Sequence, residues 1–362
     1  MEKQPTVLFF CRIKDDVTLT AAMGSSCCTE AKSKVVVLQA ENSLLKTEIE
    51  KLEEKILNVS KKPFSFLDIK DNPSKVAHYT GPPNSESFYL LKSMVEEGGE
   101  LIYHKGWKVV NISHEDQLFI LLMKLRRNLS FEDLGDRFKV SDTTISNVVL
   151  TWLHAVHAVL FEQLMSEMPS RQKNATSIPA CFAKFPNCRV VLDCAEIYAA
   201  IPKLLSNHRK LFSSYKHRVT FKGLIGIAPN GTVTFASKLY PGSTSDKKIV
   251  DHCGILAQLK PGDMVMADKG FLIANDLPPG VTLNIPPFST NPQFTVDEVL
   301  LTNDIARARI HVERAIERIK RFQILNLVDR HLFSYSTVIF QTCAALTNLM
   351  PPLVNEDFEN NE

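Results

Sequence analysis

The chain has 362 residues, 44% of them hydrophobic, and a formal net charge of +2 at pH 7. This length predicts two or three domains, and the apolar content is sufficient for a sizeable core. No run in the sequence approaches the ~18 apolar residues of a membrane-spanning helix, so we predict no membrane partner. A nearly neutral chain is not identified as a nucleic-acid binder by its total charge, and that inference depends on local charge.

The N-terminal part of the chain contains a polar segment and then a heptad repeat. Residues 1–33 have a small and polar composition, which predicts a disordered or truncated N-terminus. Residues 34–60 are predicted to form a coiled coil. The a positions are Val35, Asn42, Ile49 and Ile56, and the d positions are Leu38, Leu45, Leu52 and Val59. β-branched residues at a with leucine at d favour a parallel homodimer, in which the polar Asn42 fixes the register. An amphipathic helix packed on its own domain is the alternative.

A helix-turn-helix is predicted within residues 111–165. Residues 61–110 precede it and contain repeated proline and glycine breaks, so they are predicted to be an irregular linker. Ser130–Phe138 has a capped helical pattern, 139–141 is a tight turn, and a third helix follows from Ser141 or Asp142. This arrangement predicts the helix-turn-helix motif.

The third helix of this motif is the one expected to lie in a DNA major groove. Its polar side chains near the N-terminus are Thr143, Thr144, Ser146 and Asn147. These groups can hydrogen-bond to bases, although none is the arginine that most often contacts guanine. A helical bundle without DNA contact is the alternative.

From about residue 181 the apolar pattern changes from helical to strand-like, after a linker-like stretch at 168–182. Strands are predicted at 189–197, 219–228, 231–240, 264–267 and 281–285, with a helix after Asp246 and longer helices at 304–322 and 335–349. This order predicts an α/β fold over residues 181–350. We expect a ribonuclease-H-like mixed sheet flanked by helices, preceded by the all-α segment and the N-terminal coiled coil.

Three acids in this region are candidate metal ligands. Asp193 follows the apolar run Val190–Leu192, Asp268 follows a second predicted strand, and Glu313 lies at the edge of the apolar stripe of the long helix. An acid at the end of a buried strand is unfavourable unless a cation meets it. Carboxylates are the ligands with which proteins hold magnesium, and a pair of such ions can promote phosphodiester cleavage. Taken singly, each acid also fits a cap, a turn or a solvated helix position.

Local charge supports a DNA partner. No acid occurs between Ile197 and Ser245. The candidate phosphate contacts in this stretch are Arg209, Lys210, Lys216 and Arg218. A run of one sign beside an acidic cluster is what a phosphate-binding cleft requires. A set of solvated cations without a ligand is the alternative.

Five ordered motifs together resemble the DDE superfamily endonucleases of Harbinger-type transposons. They are Leu192–Ile197, Phe221–Ile227, Gly242–Lys247, Gly262–Phe271 and Arg309–Arg314. Residues 110–160 are similar to the helix-turn-helix that precedes the nuclease in such proteins. The resemblance implies that Asp193, Asp268 and Glu313 are the catalytic triad and bind two Mg²⁺ or Mn²⁺ ions. It also implies that Asp246 is a further metal ligand or a helix cap.

The resemblance further implies a nuclear nuclease or transposase with possible strand transfer, aided by a separate DNA-binding partner protein. Two alternatives stay open at this point. One is a domesticated or decayed transposase that binds DNA without cutting it. The other is a coiled-coil scaffold, which salt-sensitive DNA binding would eliminate.

Overall fold

The computed structural model describes residues 25–287 and 295–354. At 25–31, 56–61, 205, 207, 296 and 297 it describes the main chain only. It divides into two compact units, Met1–Lys62 and Pro63–Glu362. Of the N-terminal segment that we predicted to be disordered or truncated, residues 1–24 lie outside the described range. The remainder of that segment belongs to a helix.

The first unit contains helix α1, Ser25–Lys61. It includes the predicted heptad segment, so the helical part of that prediction is confirmed. The apolar a and d side chains that the structure describes, from Val35 to Leu52, are open to solvent in the single chain: Val35 is 52% exposed and Leu45 is 60% exposed. Pairing of two such helices stays a prediction.

The second unit begins with helices where we predicted an irregular linker at 61–110. Helix α2 is Pro73–Thr80 and helix α3 is Ser85–Glu97. The side chains of Asn72 and Asn84 cap them. The prediction was wrong because local Pro and Gly breaks concealed a tertiary core: Phe66 and Phe88 are fully buried, with ring centroids 3.7 Å apart.

The helix-turn-helix is confirmed. Helix α4 is His114–Arg127, α5 is Phe131–Phe138 and α6 is Asp142–His157, which continues as the π-helical segment Ala158–Gln163. Gly135 lies within α5 and faces the turn that leads to α6. A Cβ at Gly135 would lie 2.7 Å from the carbonyl oxygen of Val140, so glycine permits this tight turn. The stretch Asp142–Gln163 has the length and hydropathy of a membrane span, but 67% of its most apolar window is buried inside the molecule.

The predicted linker at 168–182 is also structured. Helix α7 is Arg171–Ala175, and a 3₁₀ turn follows at Ala180–Phe182. Phe182 is fully buried, and Arg171 forms an ion pair with Asp263. These tertiary contacts order a segment whose composition resembles that of a loop.

A mixed, curled sheet forms the rest of the unit. Its strands are β1 Cys188–Tyr198, β2 Phe212–Ser213, β3 Arg218–Ile227, β4 Val233–Ala236, β5 Tyr240–Pro241, β6 Met264–Met266 and β7 Thr282–Asn284. The order is β2-β3-β1-β6-β7, and β4 and β5 pair with β3. Strand β3 is antiparallel to β1, whereas β6 is parallel to both β1 and β7. The predicted strand 231–240 is divided into β4 and β5.

Helices cover both faces of the sheet. They are α8 Leu205–Leu211, α9 Asp246–His252, α10 Val296–Lys320 and α11 Ser336–Leu346. Alternate residues of β1 face opposite ways: Val191 and Ala195 join the apolar cluster that contains α10 and α11, and Val190 and Leu192 join the cluster that contains α9. The larger cluster also includes Trp152 of α6, so the helical segment and the sheet share one core.

Candidate active site

Asp193 lies within β1, on the face of the sheet that carries α10. We predicted it at a strand end, but β1 continues for five residues to Tyr198 and Asp193 pairs with Ile225 of β3. Its Oδ1 accepts the N–H of Cys194 at 2.7 Å. Burial raises the pKa of Asp193 to about 6, and the charges of Asp268 and Glu313 add to this effect. The carboxylate is therefore held in a site that disfavours its charge.

Asp268 follows the parallel strand β6, which pairs with β1 just before Asp193. Val191 of β1 is aligned with Met266 of β6, and each acid follows two residues later. Strand β6 ends at Met266, so Asp268 belongs to an exposed turn. Its Oδ1 is 3.1 Å from Nη1 of Arg309 in α10.

Glu313 approaches the same place from α10, one helical turn after Arg309. Val312 is buried and Glu313 is exposed, so Glu313 does lie at the edge of the apolar stripe. Its charge nevertheless acts on Asp193, as does that of Asp268. Both Asp268 and Glu313 thus act electrostatically on Asp193, and their common role as metal ligands stays a prediction.

The donor set suits a hard divalent cation, because it consists of carboxylate oxygens. Within residues 25–287 and 295–354, neither Asp193 nor Glu313 forms an ion pair, although the charge of Arg309 acts on Asp193. In the same ranges, no three His, Cys, Asp or Glu side chains are arranged to hold a metal ion together. Arg309 is bound to Asp268, and a cation shared by the three acids requires that pair to loosen.

Asp246 lies on the opposite face of the sheet from Asp193. It is the first residue of α9, and Ser245 before it is the N-cap, so Asp246 itself is not the cap. Its Oδ1 lies 2.6 Å from Nζ of Lys222, and its charge acts on the thiol of Cys194. Its predicted role as a metal ligand stays a prediction.

The predicted base-contacting residues of α6 differ in accessibility. Thr143 is exposed, Ser146 is half-buried, and the Thr144 hydroxyl lies 2.9 Å from that of Ser141. Asn147 is fully buried. Its side-chain oxygen accepts from the N–H of Lys105, and its side-chain nitrogen donates to the carbonyl of Trp107. Asn147 therefore serves to hold the preceding loop and is not open to a base.

The predicted phosphate contacts are exposed. Arg209 and Lys210 lie on α8, and Lys216 and Arg218 lie in and after the turn between β2 and β3. We missed Lys320, which is half-buried at the end of α10. Burial lowers its pKa, as does Lys216, whereas Asp193 and Glu196 raise it. The charge of Lys320 therefore acts on both the acidic site and the basic hairpin, and its position two helical turns after Glu313 was the available signal.

Two models of known protein families match parts of this chain. Residues 192–348 match the family model described as DDE superfamily endonuclease, and residues 111–162 match the helix-turn-helix of DDE superfamily endonuclease. No curated protein matches the chain significantly, and no solved structure does. The first match contains Asp193, Asp268 and Glu313, and the second contains α4, α5 and α6. The two matches therefore support a DDE superfamily endonuclease domain preceded by the helix-turn-helix of the same superfamily.

Proposed function

We propose that the chain is a divalent-metal-dependent DNA endonuclease of the transposase type, with Asp193, Asp268 and Glu313 as its catalytic acids. The observation that carries this proposal is the pairing of Val191 with Met266 on adjacent parallel strands, two residues before Asp193 and Asp268, together with the charges of Asp268 and Glu313 acting on Asp193. The strand order, with three antiparallel segments followed by two parallel strands, supports a ribonuclease-H-like fold for this domain.

Three acids would hold one or two Mg²⁺ or Mn²⁺ ions, which supply an activated water and charge stabilisation at the leaving oxygen. The chain itself contributes position and charge. Asp193 is fixed by its place in the sheet and by the N–H of Cys194. Glu313 and Arg309 are fixed by the long helix α10. Arg309 and Lys320 place positive charge beside the acids, where a scissile phosphate has to lie.

The wider proposals concern the biological setting. A Harbinger-type transposase would act in the nucleus, could join a freed 3′-hydroxyl to target DNA, and would take a separate DNA-binding partner protein. The limited base-reading capacity of α6 supports such a partner, since Asn147 is buried and Thr144 is bonded to Ser141. The open apolar seam of α1 supports a homodimer.

Nicking of supercoiled plasmid DNA in the presence of Mg²⁺ or Mn²⁺ tests the nuclease. We expect the wild-type chain to nick, and we expect Asp193→Ala and Asp268→Asn to abolish nicking while salt-sensitive DNA binding is retained. Asp251→Asn is the control, because Asp251 is an exposed acid of α9 outside the site. Equal nicking by wild type and Asp193→Ala would exclude the proposed site.

A DNA-binding protein without nuclease activity is the second candidate. The observation that favours it is the Arg309–Asp268 ion pair, which occupies one of the three acids. In the plasmid assay this candidate predicts salt-sensitive DNA binding without nicking, whichever divalent ion is added. Metal-dependent nicking by the wild type excludes it.

A further inference from the structure

A pocket of about 400 Å³ opens at the far end of β1, beyond the acidic site. Its lining includes Tyr198, His208, Phe212, His217, Arg218 and Leu327. The main chain of Val328 fixes one wall: its N–H donates to the carbonyl of Tyr198, and its carbonyl accepts from the N–H of Ala200, each at 2.9 Å. Beneath this wall, Ala199, Leu211 and Val219 form a small apolar cluster. The pocket is therefore built on the sheet.

Two tyrosine rings with cations beside them belong to this region. The guanidinium of Arg218 lies 5.2 Å from the ring centroid of Tyr198. The ammonium of Lys216 lies 4.6 Å from the ring centroid of Tyr215, at the tip of the hairpin whose base lines the pocket. Tyr215 is 80% exposed, and Tyr198 is 37% exposed. An open aromatic ring beside a cation is the combination on which proteins stack unpaired nucleobases while they hold the adjoining phosphate.

Aliphatic side chains and local charge fit the same ligand. Ile201, which lines the pocket, is 66% exposed and offers an apolar surface to a base. The surrounding stretch from Ile197 to Ser245 contains no acid. The charge of Lys320, at the end of α10, interacts with both Lys216 of the hairpin and Asp193.

We propose that this pocket, together with the adjoining hairpin tip that carries Tyr215 and Lys216, binds an unpaired nucleotide of the DNA substrate, with its base stacked on Tyr215 or Tyr198 and its phosphates at Lys216 and Arg218. The proposal rests on the proposed function in so far as DNA is the partner. Bases in an intact duplex are stacked on one another and cannot offer a free face. The pocket therefore selects DNA with a single-stranded end or a distorted segment.

Fluorescence anisotropy with labelled DNA, in EDTA so that nothing is cut, tests this selection. The probes are a blunt duplex and the same duplex with a single-stranded overhang. We expect wild type to prefer the overhang, and we expect Tyr215→Ala to weaken overhang binding about 5- to 100-fold with little effect on the blunt duplex. Tyr215→Phe, which keeps the ring, should retain the preference. Ile102→Ala is the control, because Ile102 is 90% exposed and outside the pocket.

Equal binding of both probes by wild type overturns the proposal, and so does an overhang preference that survives in both Tyr215→Ala and Tyr198→Ala. Tighter binding of an RNA overhang of the same sequence also overturns it. If Tyr198→Ala proves unfolded by circular dichroism, the exposed Tyr215 still decides the matter. Asp193→Ala should keep the preference. A wild-type chain that prefers the overhang but does not nick therefore counts against the nuclease alone, and a wild-type chain that nicks without that preference counts against the pocket alone.

Discussion

Asp193 and Asp263 are two acids of the same sheet with opposite surroundings. Asp263 is fully buried, but Arg171 Nε and Arg189 Nη1 lie 3.0 Å and 3.2 Å from its carboxylate. Its Oδ2 also accepts the N–H of Lys260. Asp193 forms no ion pair with any residue that the structure describes. The two ion pairs of Asp263 indicate a structural role, whereas Asp193, which has no ion pair with a described residue, is suited to binding a cation.

Replacement of Asp263 tests its structural role. Asp263→Ala leaves Arg189, whose side chain is 5% exposed, buried without its counter-charge, so we expect a loss of about 3–5 kcal/mol in the free energy of unfolding. Denaturant unfolding monitored by circular dichroism measures this. Asp133→Ala is the control, because the Asp133–Arg137 pair is exposed and should cost less than about 1 kcal/mol. Equal costs for the two variants would contradict the argument.

Among the elements, strands and helices with strong apolar periodicity could be predicted from the sequence. The positions of β1, β3, β6 and α10 agree with the predictions to within a few residues, except for the start of α10. The helices at 61–110 could not be predicted, because Phe66 and Phe88 are buried against residues far along the chain and not by a local pattern. The division of the third strand has a similar cause: β4 and β5 each pair with a different part of β3.

Strand β3 and helix α11 meet at a glycine. Gly223 pairs with Ala195 of β1, and these two small residues admit the fully buried ring of Phe340. A Cβ at Gly223 would lie 2.6 Å from that ring. We expect Gly223→Ala to lower the free energy of unfolding by about 1–3 kcal/mol, since the ring must move within a packed core.

Urea unfolding measures this loss, and Gly270→Ala is the matched control. A Cβ at Gly270 meets no atom within 4 Å, so the same substitution there should be nearly neutral. If Gly223→Ala were as stable as Gly270→Ala, the close packing of α11 on β3 would not limit the size of this residue.

At the scale of the whole molecule, the sequence predicts the three acids but not all of their surroundings. The apolar runs before Asp193 and Asp268 singled out these acids, because β1 and β6 pair just before them, and their role as metal ligands stays a prediction. Arg309 and Lys320 contact or influence the acids across α10, and this depends on how the helix docks on the sheet. Asn147 was misassigned for the same reason, since only the folded chain shows the loop that its amide binds.

Association of two chains is the remaining property of the whole molecule that the sequence predicts. The leucines at the d positions of α1 are exposed in the single chain: Leu38 is 56% exposed, Leu45 is 60% exposed and Leu52 is 49% exposed. A second α1 in parallel register would bury this seam, with Asn42 opposite its counterpart. We therefore expect wild type to have twice the chain mass in sedimentation equilibrium.

Lysine at a d position places a charge inside such a seam, so Leu45→Lys should give a monomer. Ala40→Lys adds the same charge at an exposed position outside the a and d seam, and it should stay dimeric. A dimer that persists in Leu45→Lys would show that association does not use this seam. If the wild type is a monomer, the dimer prediction is wrong, and the exposed apolar residues of α1 would then serve contacts with a separate protein.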